Sequence, residues 1–207
     1  MLKRFIAAIL ILVIMVCTSV PAVAASPEML KAEYEGRGYV EVDFKTKVQY
    51  KNATVTVKDS AGKTLPVKIT EKDDDELTFR VNGLKADTKY SFAISGIRKG
   101  RSGAFGTVNG SFKTPKSELS VRKAEYDRKD GELDLEFYGL VQYKNPKVII
   151  KDASGKNYSC SISDLDRDEM EIAANGLPRG NYTAKIYGIR LKGDKTYTSI
   201  TVSFRVK

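Results

Sequence analysis

The chain alternates apolar and polar residues over short runs, and glycine, asparagine, aspartate or proline separates one run from the next. The runs at 40–44 (VEVDF) and 77–81 (LTFRV) are clear examples. Strict alternation places every second side chain on one face, as in a half-buried β-strand. About seven such runs occur in each half of the chain, a pattern that predicts antiparallel β-sandwiches and no helices of any length.

The whole pattern occurs twice. Residues 48–63 read VQYKNATVTVKDSAGK, and residues 141–156 read VQYKNPKVIIKDASGK. The segment KAEY recurs in the same way, at 31–34 and 123–126. Because the offset stays at 92 or 93 residues, a complete module of domain size has been duplicated.

The N-terminal residues belong to neither module. A short basic leader at 1–4 precedes an apolar run at 5–16 and the small-residue site AVA at 22–24, which is the layout of a secretory signal peptide. An uncleaved membrane anchor is the alternative, because residues 5–23 are nearly long enough to span a bilayer. The predicted boundaries are 1–24 for a signal peptide, 26–114 for the first sandwich, 115–117 for a short linker and 118–207 for the second sandwich.

Two further features resemble known domains. The segment LKADTKY at 84–90 resembles the entry to strand F of fibronectin type III and related immunoglobulin-like domains, where a tyrosine hydroxyl caps a backbone corner. The order V-x-V-x-F, V-x-V-x-D-x-x-G, D-x-x-L-x-F and T-x-Y-x-F-x-I-x-G-I resembles bacterial immunoglobulin-like domains of surface-layer and cell-wall proteins more closely. This resemblance covers both modules. It implies an all-β chain of two tandem seven-stranded immunoglobulin-like (fibronectin type III-like) sandwiches with a non-catalytic, secreted or cell-surface role.

The amino-acid composition limits which catalytic and metal-binding groups the chain can supply. The chain contains no histidine, and this removes the commonest general base and the usual metal nitrogen ligand. No nucleophile elbow and no phosphate-binding glycine loop occurs. We therefore expect no enzymatic activity and no cofactor.

The formal net charge is +9, and loss of Lys3 and Arg4 with the signal peptide leaves +7. A basic surface favours anionic partners, although lysines that alternate with apolar residues are also typical of solvated strand faces. Cys160 is then the only cysteine, so no internal disulfide is possible. It stands at the position of Val67 in the first module, which favours a small buried side chain.

Basic and aromatic residues form the most suggestive candidate site, because the B–C and F–G loops of such a sandwich lie at the same end. The candidates are Gln49, Tyr50, Lys51, Arg98, Lys99 and Arg101 in the first module, and Gln142, Tyr143, Lys144, Arg190, Lys192 and Lys195 in the second. Tyrosine beside cationic and amide groups suits an anionic glycan or a protein surface. In the alternative interpretation, Val48 and Tyr50 pack under the sandwich as loop anchors and the lysines are merely solvated. The loops of the second module are expected near the joint, and those of the first at the free tip.

A weaker hypothesis concerns calcium. Asp164, Asp166 and Asp168 alternate along the chain, and hard carboxylate oxygens suit Ca²⁺. The segment lacks the glycine and distal glutamate of an EF-hand loop. A polar turn between two strands is the alternative.

Two functional hypotheses follow. The first is a secreted, non-catalytic cell-surface or extracellular module pair for adhesion, wall association or spacing. The second is a soluble binding protein that recognises an anionic glycan, a wall polymer or a partner protein through the basic, tyrosine-bearing loops. Neither involves nucleic acid, since export separates the protein from most such partners, and neither needs a membrane span once the signal peptide is cleaved.

Overall fold

The computed structural model describes residues 26–101 and 103–207, and the predicted signal peptide at 1–24 lies outside them. Sixteen β-strands lie in this described part. The first module contains β1 (Met29–Gly36), β2 (Tyr39–Phe44), β3 (Val48–Lys58), β4 (Thr64–Leu65), β5 (Val67–Lys72), β6 (Glu76–Val81), β7 (Lys89–Lys99) and β8 (Gly106–Lys113). The second contains β9 (Val121–Asp127), β10 (Glu132–Phe137), β11 (Val141–Asp152), β12 (Asn157–Tyr158), β13 (Ser161–Leu165), β14 (Glu169–Ala173), β15 (Gly180–Leu191) and β16 (Thr198–Val206).

Each module forms two four-stranded antiparallel sheets. The strand orders are β1-β2-β6-β5 and β4-β3-β7-β8 in the first module, and β9-β10-β14-β13 and β12-β11-β15-β16 in the second. In immunoglobulin lettering these are ABED sheets and CFG sheets, the latter carrying a short additional strand. The predicted all-β fold of two tandem immunoglobulin-like sandwiches is therefore confirmed. The two-residue strands β4 and β12 were not predicted, because two residues are too few to display a period.

The core of each sandwich comes from the alternating positions. Val40 and Val42 lie opposite Phe79 and Leu77 across the β2–β6 pair, and all four are fully buried. The same inward face recurs in the second module, where Leu133 and its neighbours fill the equivalent positions. Register is fixed here because a one-residue slip would expose the whole apolar set.

The tyrosine at the start of strand F makes the corner contact that the resemblance implied. In the first module, the Tyr90 hydroxyl accepts a hydrogen bond from the Lys85 backbone N–H at 2.7 Å. In the second, the Tyr182 hydroxyl donates to the Pro178 carbonyl at 2.8 Å. The partner differs because the second corner, LPRGNY, is one residue shorter.

The turn between β1 and β2 of the first module packs against the start of the B–C loop of the second. The Tyr34 ring stacks on the Tyr138 ring with centroids 5.8 Å apart. Its hydroxyl donates to the Glu118 carboxylate, which also accepts the Arg37 backbone N–H at 3.2 Å. The Arg37 guanidinium lies 3.2 Å from the Asp168 carboxylate. The start of the B–C loop of the second module therefore lies at the joint, as expected, together with its D–E turn. The domain boundaries drawn from the repeat stay predictions.

Close approach of the two backbones also requires a glycine at this joint. Gly36 has a φ of +91°, and a Cβ atom there would lie 1.8 Å from the Tyr138 carbonyl oxygen. Beside it, the Arg122 guanidinium pairs with Glu35 of the first module and Glu136 of the second. The joint thus combines a stacked aromatic pair with charge-assisted hydrogen bonds.

Among the described residues, no helix is long and apolar enough to cross a membrane.

Candidate functional site

The B–C and F–G loops meet at one end of each sandwich. In the first module, the Gly100 N–H donates to the Lys47 carbonyl at 2.8 Å. In the second, the Lys192 N–H donates to the Leu140 carbonyl at 2.7 Å. The structure thus brings the sequence candidates of each module to a common end.

Arg98 is occupied within this loop end. Its Nε and Nη2 atoms donate to the Gln49 side-chain oxygen at 3.2 and 2.7 Å, and Nη1 donates to the Gly103 carbonyl at 3.2 Å. The guanidinium also lies over the Phe105 ring, 4.6 Å from its centroid. A guanidinium used on both its edge and its face serves to hold the F–G loop.

The second module repeats this clamp. Arg190 Nε donates to the Gln142 side-chain oxygen at 3.1 Å, and Nη1 donates to the Asp194 carbonyl at 2.8 Å. The Arg190 guanidinium lies 4.4 Å from the centroid of the Tyr197 ring. The aromatic partners of the two arginines, Phe105 and Tyr197, were not predicted from the sequence. Their signal was an aromatic residue seven positions after the arginine in each copy.

The tyrosines of the two VQYKN segments lie half-buried between the sheets. Tyr50, on the CFG sheet, donates its hydroxyl to the Glu76 carbonyl of the ABED sheet at 2.8 Å. Tyr143 donates to the Glu169 carbonyl in the same way, at 3.1 Å. Burial is the main cause that raises the pKa of both phenols. This geometry corresponds to the loop-anchor interpretation.

The Lys-Asn pair that follows each tyrosine forms a β-bulge. The register of β3 against β7 shifts between Tyr50 and Thr54, and Asn52 has a left-handed φ of 48°. Opposite the bulge, a Cβ atom on Gly96 would lie 2.4 Å from the Lys51 carbonyl oxygen. Asparagine tolerates the left-handed conformation and glycine permits the close approach, so VQYKN and the facing G-I-R recur together.

The remaining loop candidates are exposed. These are Lys51, Lys99, Arg101, Lys144, Lys192 and Lys195. The acidic D–E turn also lies at this end, because the Val48 N–H donates to the Asp74 carbonyl and Lys47 forms an ion pair with the Asp74 carboxylate. The loop end of the first module is therefore of mixed charge rather than basic. A binding role for the exposed lysines stays a prediction.

The calcium candidates are spread along their segment. Asp168 pairs with Arg37 of the first module at 3.2 Å, and the Asp166 N–H closes a turn onto the Glu169 carbonyl at 3.0 Å. Asp164 faces Glu171 across the β13–β14 pair. Within the described residues, these three aspartates do not form a group whose carboxylate oxygens converge.

A convergent acidic group does occur in the first module, but a lysine occupies it. The carboxylates of Glu41, Asp43 and Glu76 lie within 4.8 Å of one another. Lys31 Nζ lies 3.3 Å from both Glu41 and Asp43. The ammonium group supplies the positive charge that such a cluster requires.

Charge is divided between the two sheets of each module. The CFG strands of the first module contain six lysines and arginines and no carboxylate. Those of the second contain six cationic residues and one acidic residue, Asp152, whose carboxylate accepts the N–H groups of Ser154 and Lys156 in a turn. The outer CFG faces are therefore positive.

The ABED strands have the opposite balance. They contain six acidic and four basic residues in the first module, and eight acidic and two basic residues in the second. On the second module, burial and then neighbouring carboxylates raise the pKa of Asp134 and Glu169. Sequence reasoning assigned these charges to solvated faces but missed the segregation, which depends on knowing which strands share a sheet.

No family model and no curated protein matches the chain. Among solved structures, it is similar to the N-terminal part of the bacterial S-layer protein SbsC, with 13% identity over 88% of this chain and 44% of that one, at a TM-score of 0.43. The two-domain fibronectin type III segment of chicken tenascin is 15% identical over 88% of this chain and all of that one, at a TM-score of 0.31. The BSP domain of a biofilm-associated protein is 15% identical over 87% of this chain and 29% of that one, at a TM-score of 0.32. The chain spans less than half the length of the S-layer protein part that it matches. At these identities the likeness concerns the fold, and the functions of those proteins do not carry over.

Proposed function

We propose that the chain is a secreted, non-catalytic cell-surface or extracellular module pair that acts as a spacer. The observation that carries this proposal is the joint between the sandwiches. Linked domains move relative to each other by default. Here Tyr34, Glu118 and Arg122 restrain that motion through stacking, hydrogen bonds and ion pairs. Two sandwiches whose relative motion is restrained can hold whatever is attached at their two ends at a fixed separation, which is the role of a spacer.

The interiors of both sandwiches support a non-catalytic role. Among the described residues, Thr114 is the one buried polar side chain apart from the tyrosines, and its hydroxyl donates to the Lys85 carbonyl at 2.6 Å. An active site requires titratable or nucleophilic groups gathered in a cleft. The core clusters consist of aliphatic and aromatic side chains instead.

Spin labels placed on the outer strands of the two modules would test the spacer role by pulsed distance measurements. We expect one narrow distance distribution for the native chain and a broader one for Glu118→Ala combined with Arg122→Ala. Lys51→Ala, at the free tip, is the matched control and should leave the distribution narrow. A native distribution as broad as that of the double variant would contradict the proposal. Cell fractionation tests export, and a cytoplasmic protein that retains residues 1–24 would contradict a secreted role.

A second function, recognition of an anionic glycan or wall polymer, draws its support from the CFG faces. The CFG strands of the first module contain no carboxylate, and the exposed loop lysines add to their positive charge. Retention on purified wall material should fall in Lys51→Glu combined with Lys144→Glu, and it should decrease with salt. Arg98 and Arg190 are unsuitable for this test because they hold their loops. Salt-insensitive, unchanged retention would contradict polymer recognition.

A further inference from the structure

The duplication provides an internal control, because each surface position of the second module has a counterpart in the first. At the centre of the CFG face, four positions have changed from small to cationic or large apolar side chains. Thr54, Thr56, Ala93 and Ser95 in the first module correspond to Lys147, Ile149, Lys185 and Tyr187 in the second. The equivalent core positions are apolar in both modules, so this change in character concerns the surface.

The ABED face has changed in the opposite direction. At its centre, Tyr39, Thr78 and Arg80 of the first module correspond to Glu132, Glu171 and Ala173 of the second. The face thus gains two carboxylates and loses a guanidinium. Compared with the first module, the second module therefore carries more positive charge at the centre of its CFG face and more negative charge at the centre of its ABED face.

The CFG face of the second module has the composition of a protein-binding surface. Ile149 is 40% exposed and lies opposite Lys185, and Lys147 lies opposite Tyr187. Beside Ile149, an open groove of about 670 Å³ lies between β11 and β13, and its lining includes Val148 and Ile162 together with the polar Lys147 and Ser161. An exposed apolar centre with a charged rim is typical of an interface rather than of a polymer-binding strip.

The ABED face of the second module carries carboxylates without partners. In the part of the chain that the structure describes, no lysine or arginine forms an ion pair with Asp134, Glu169 or Glu171. The two cations on the strands of this sheet pair with other carboxylates, Arg122 with Glu35 and Glu136, and Lys123 with Glu125 and Glu136. The unpaired carboxylates would gain from an external cationic surface.

We propose that the ABED face of the second module in one copy of the chain docks on the CFG face of the second module in another copy. The carboxylates of Asp134, Glu169 and Glu171 then meet Lys147 and Lys185. The carbon stems of the two glutamates, with Ala173, cover Ile149. A symmetric contact of two identical faces would oppose like charges, and this disfavours it. The inference goes beyond a spacer role, since it names a second copy as the partner.

The contact is heterologous, so each docked copy still offers one free face of each kind. Because the two faces lie on opposite sides of one sandwich, both can be occupied at the same time. Association is then open-ended. It should weaken steeply with salt, because the Debye length shrinks from about 10 Å at 0.1 M to about 3 Å at 1 M.

Sedimentation velocity of the exported chain, over a range of concentration and salt, tests the proposal. We expect oligomers of increasing size at low salt and monomers at high salt. Lys147→Glu with Lys185→Glu removes the basic face, and Asp134→Lys with Glu171→Lys removes the acidic face. Each double variant alone should be monomeric, with self-association weakened at least about tenfold, a change of about 1.4 kcal/mol.

The mixture of the two double variants separates this mechanism from others. Each retains the native face that the other lacks, and the two reversed faces are complementary to each other, so an equimolar mixture should associate although neither variant does so alone. The matched control, Thr54→Glu with Ala93→Glu on the first module, should associate like the native chain. Thermal unfolding of every variant checks that the sandwiches remain folded.

Three results would overturn the proposal. The native chain could stay monomeric at low salt up to its solubility limit, or the mixed variants could fail to associate although both are folded. Oligomers that form only when a polyanion is added would instead indicate polymer binding by the basic face. Association in the mixture, absent from either variant alone, would support the proposal irrespective of the spacer role.

Discussion

Replacing Tyr50 by phenylalanine tests whether the tyrosine of VQYKN anchors a loop or contacts a ligand. The substitution removes one hydrogen bond, from the phenol to the Glu76 carbonyl, and keeps the half-buried ring. The same carbonyl also accepts the Asp73 N–H at 2.9 Å, so it is not left without a donor. We therefore expect a cost near that of one net hydrogen bond, about 1 kcal/mol, rather than the larger penalty of an unsatisfied buried group.

A loss of about 1 kcal/mol should lower the melting temperature of a module of this size by about 4–8 °C. Tyr50→Ala also removes the ring and should cost more, about 3 kcal/mol. Lys51→Ala, one residue further along and exposed, is the control and should stay within about 0.5 kcal/mol of the native chain. Denaturant unfolding followed by circular dichroism measures all three.

The pH dependence gives a second test of the same anchor. Burial raises the pKa of Tyr50 above its ordinary value. The unfolded chain therefore loses the phenolic proton first, and native stability should fall as pH rises past about 10. Tyr50→Phe should lack this tyrosine's share of the alkaline loss. Unchanged stability in Tyr50→Phe, together with reduced binding to wall material, would refute the anchor and restore the ligand-binding hypothesis.

Three other experiments test the joint, the acidic face and the free thiol. Gly36→Ala should destabilise the joint by about 1–3 kcal/mol in thermal unfolding, because the added Cβ meets the Tyr138 carbonyl. Gly62 has a similar φ and open space around it, so Gly62→Ala is the control that shows the cost of backbone strain alone. Asp134→Asn should raise the melting temperature at neutral pH, because the raised pKa of the Asp134 carboxyl marks a destabilising charge. The gain should shrink at acid pH, where protonation removes that charge from the native chain. A gain that persists unchanged at low pH would contradict this. Cys160 should react slowly with a thiol reagent in the folded chain, since partial burial raises its pKa and its Sγ contacts the Val148 carbonyl. Fast reaction would contradict this packed position.

The fold was predictable wherever alternation ran without interruption. The run at 40–44 and its counterpart at 133–137 define an inward face without any knowledge of the partner strand. The structure of VQYKN could not be predicted from alternation, because a bulge interrupts its period. The bulge depends on Gly96 of the facing strand, which permits the close approach of the two backbones. Local pattern therefore predicts strands well and irregular pairing poorly, since the cause of a bulge lies far along the chain.

The candidate site was predictable in position but not in chemistry. The loops meet as expected, yet Arg98 turns inward onto Gln49 and Phe105, and Asp74 reaches the same end from another turn. Sequence alone counts a basic residue as available, whereas the structure determines whether its donors are already used. The contacts at the joint could not be predicted either. Tyr138 stands at the position of Lys45 in the first module, so comparison of the two repeats does not reveal its stacking partner.

The contrast between the modules bears on what the charges do. If lysines and carboxylates served solubility alone, both signs would be expected to mix over each surface. The CFG strands instead carry six cationic residues in both modules, while the ABED strands change from six acidic and four basic residues to eight and two. The second module thus has as many cations on its CFG strands as the first and fewer compensating cations on its ABED strands, and it has the exposed Ile149 where the first module has Thr56. A change that leaves the anchors untouched and sharpens two opposite faces of one sandwich is what a heterologous contact requires.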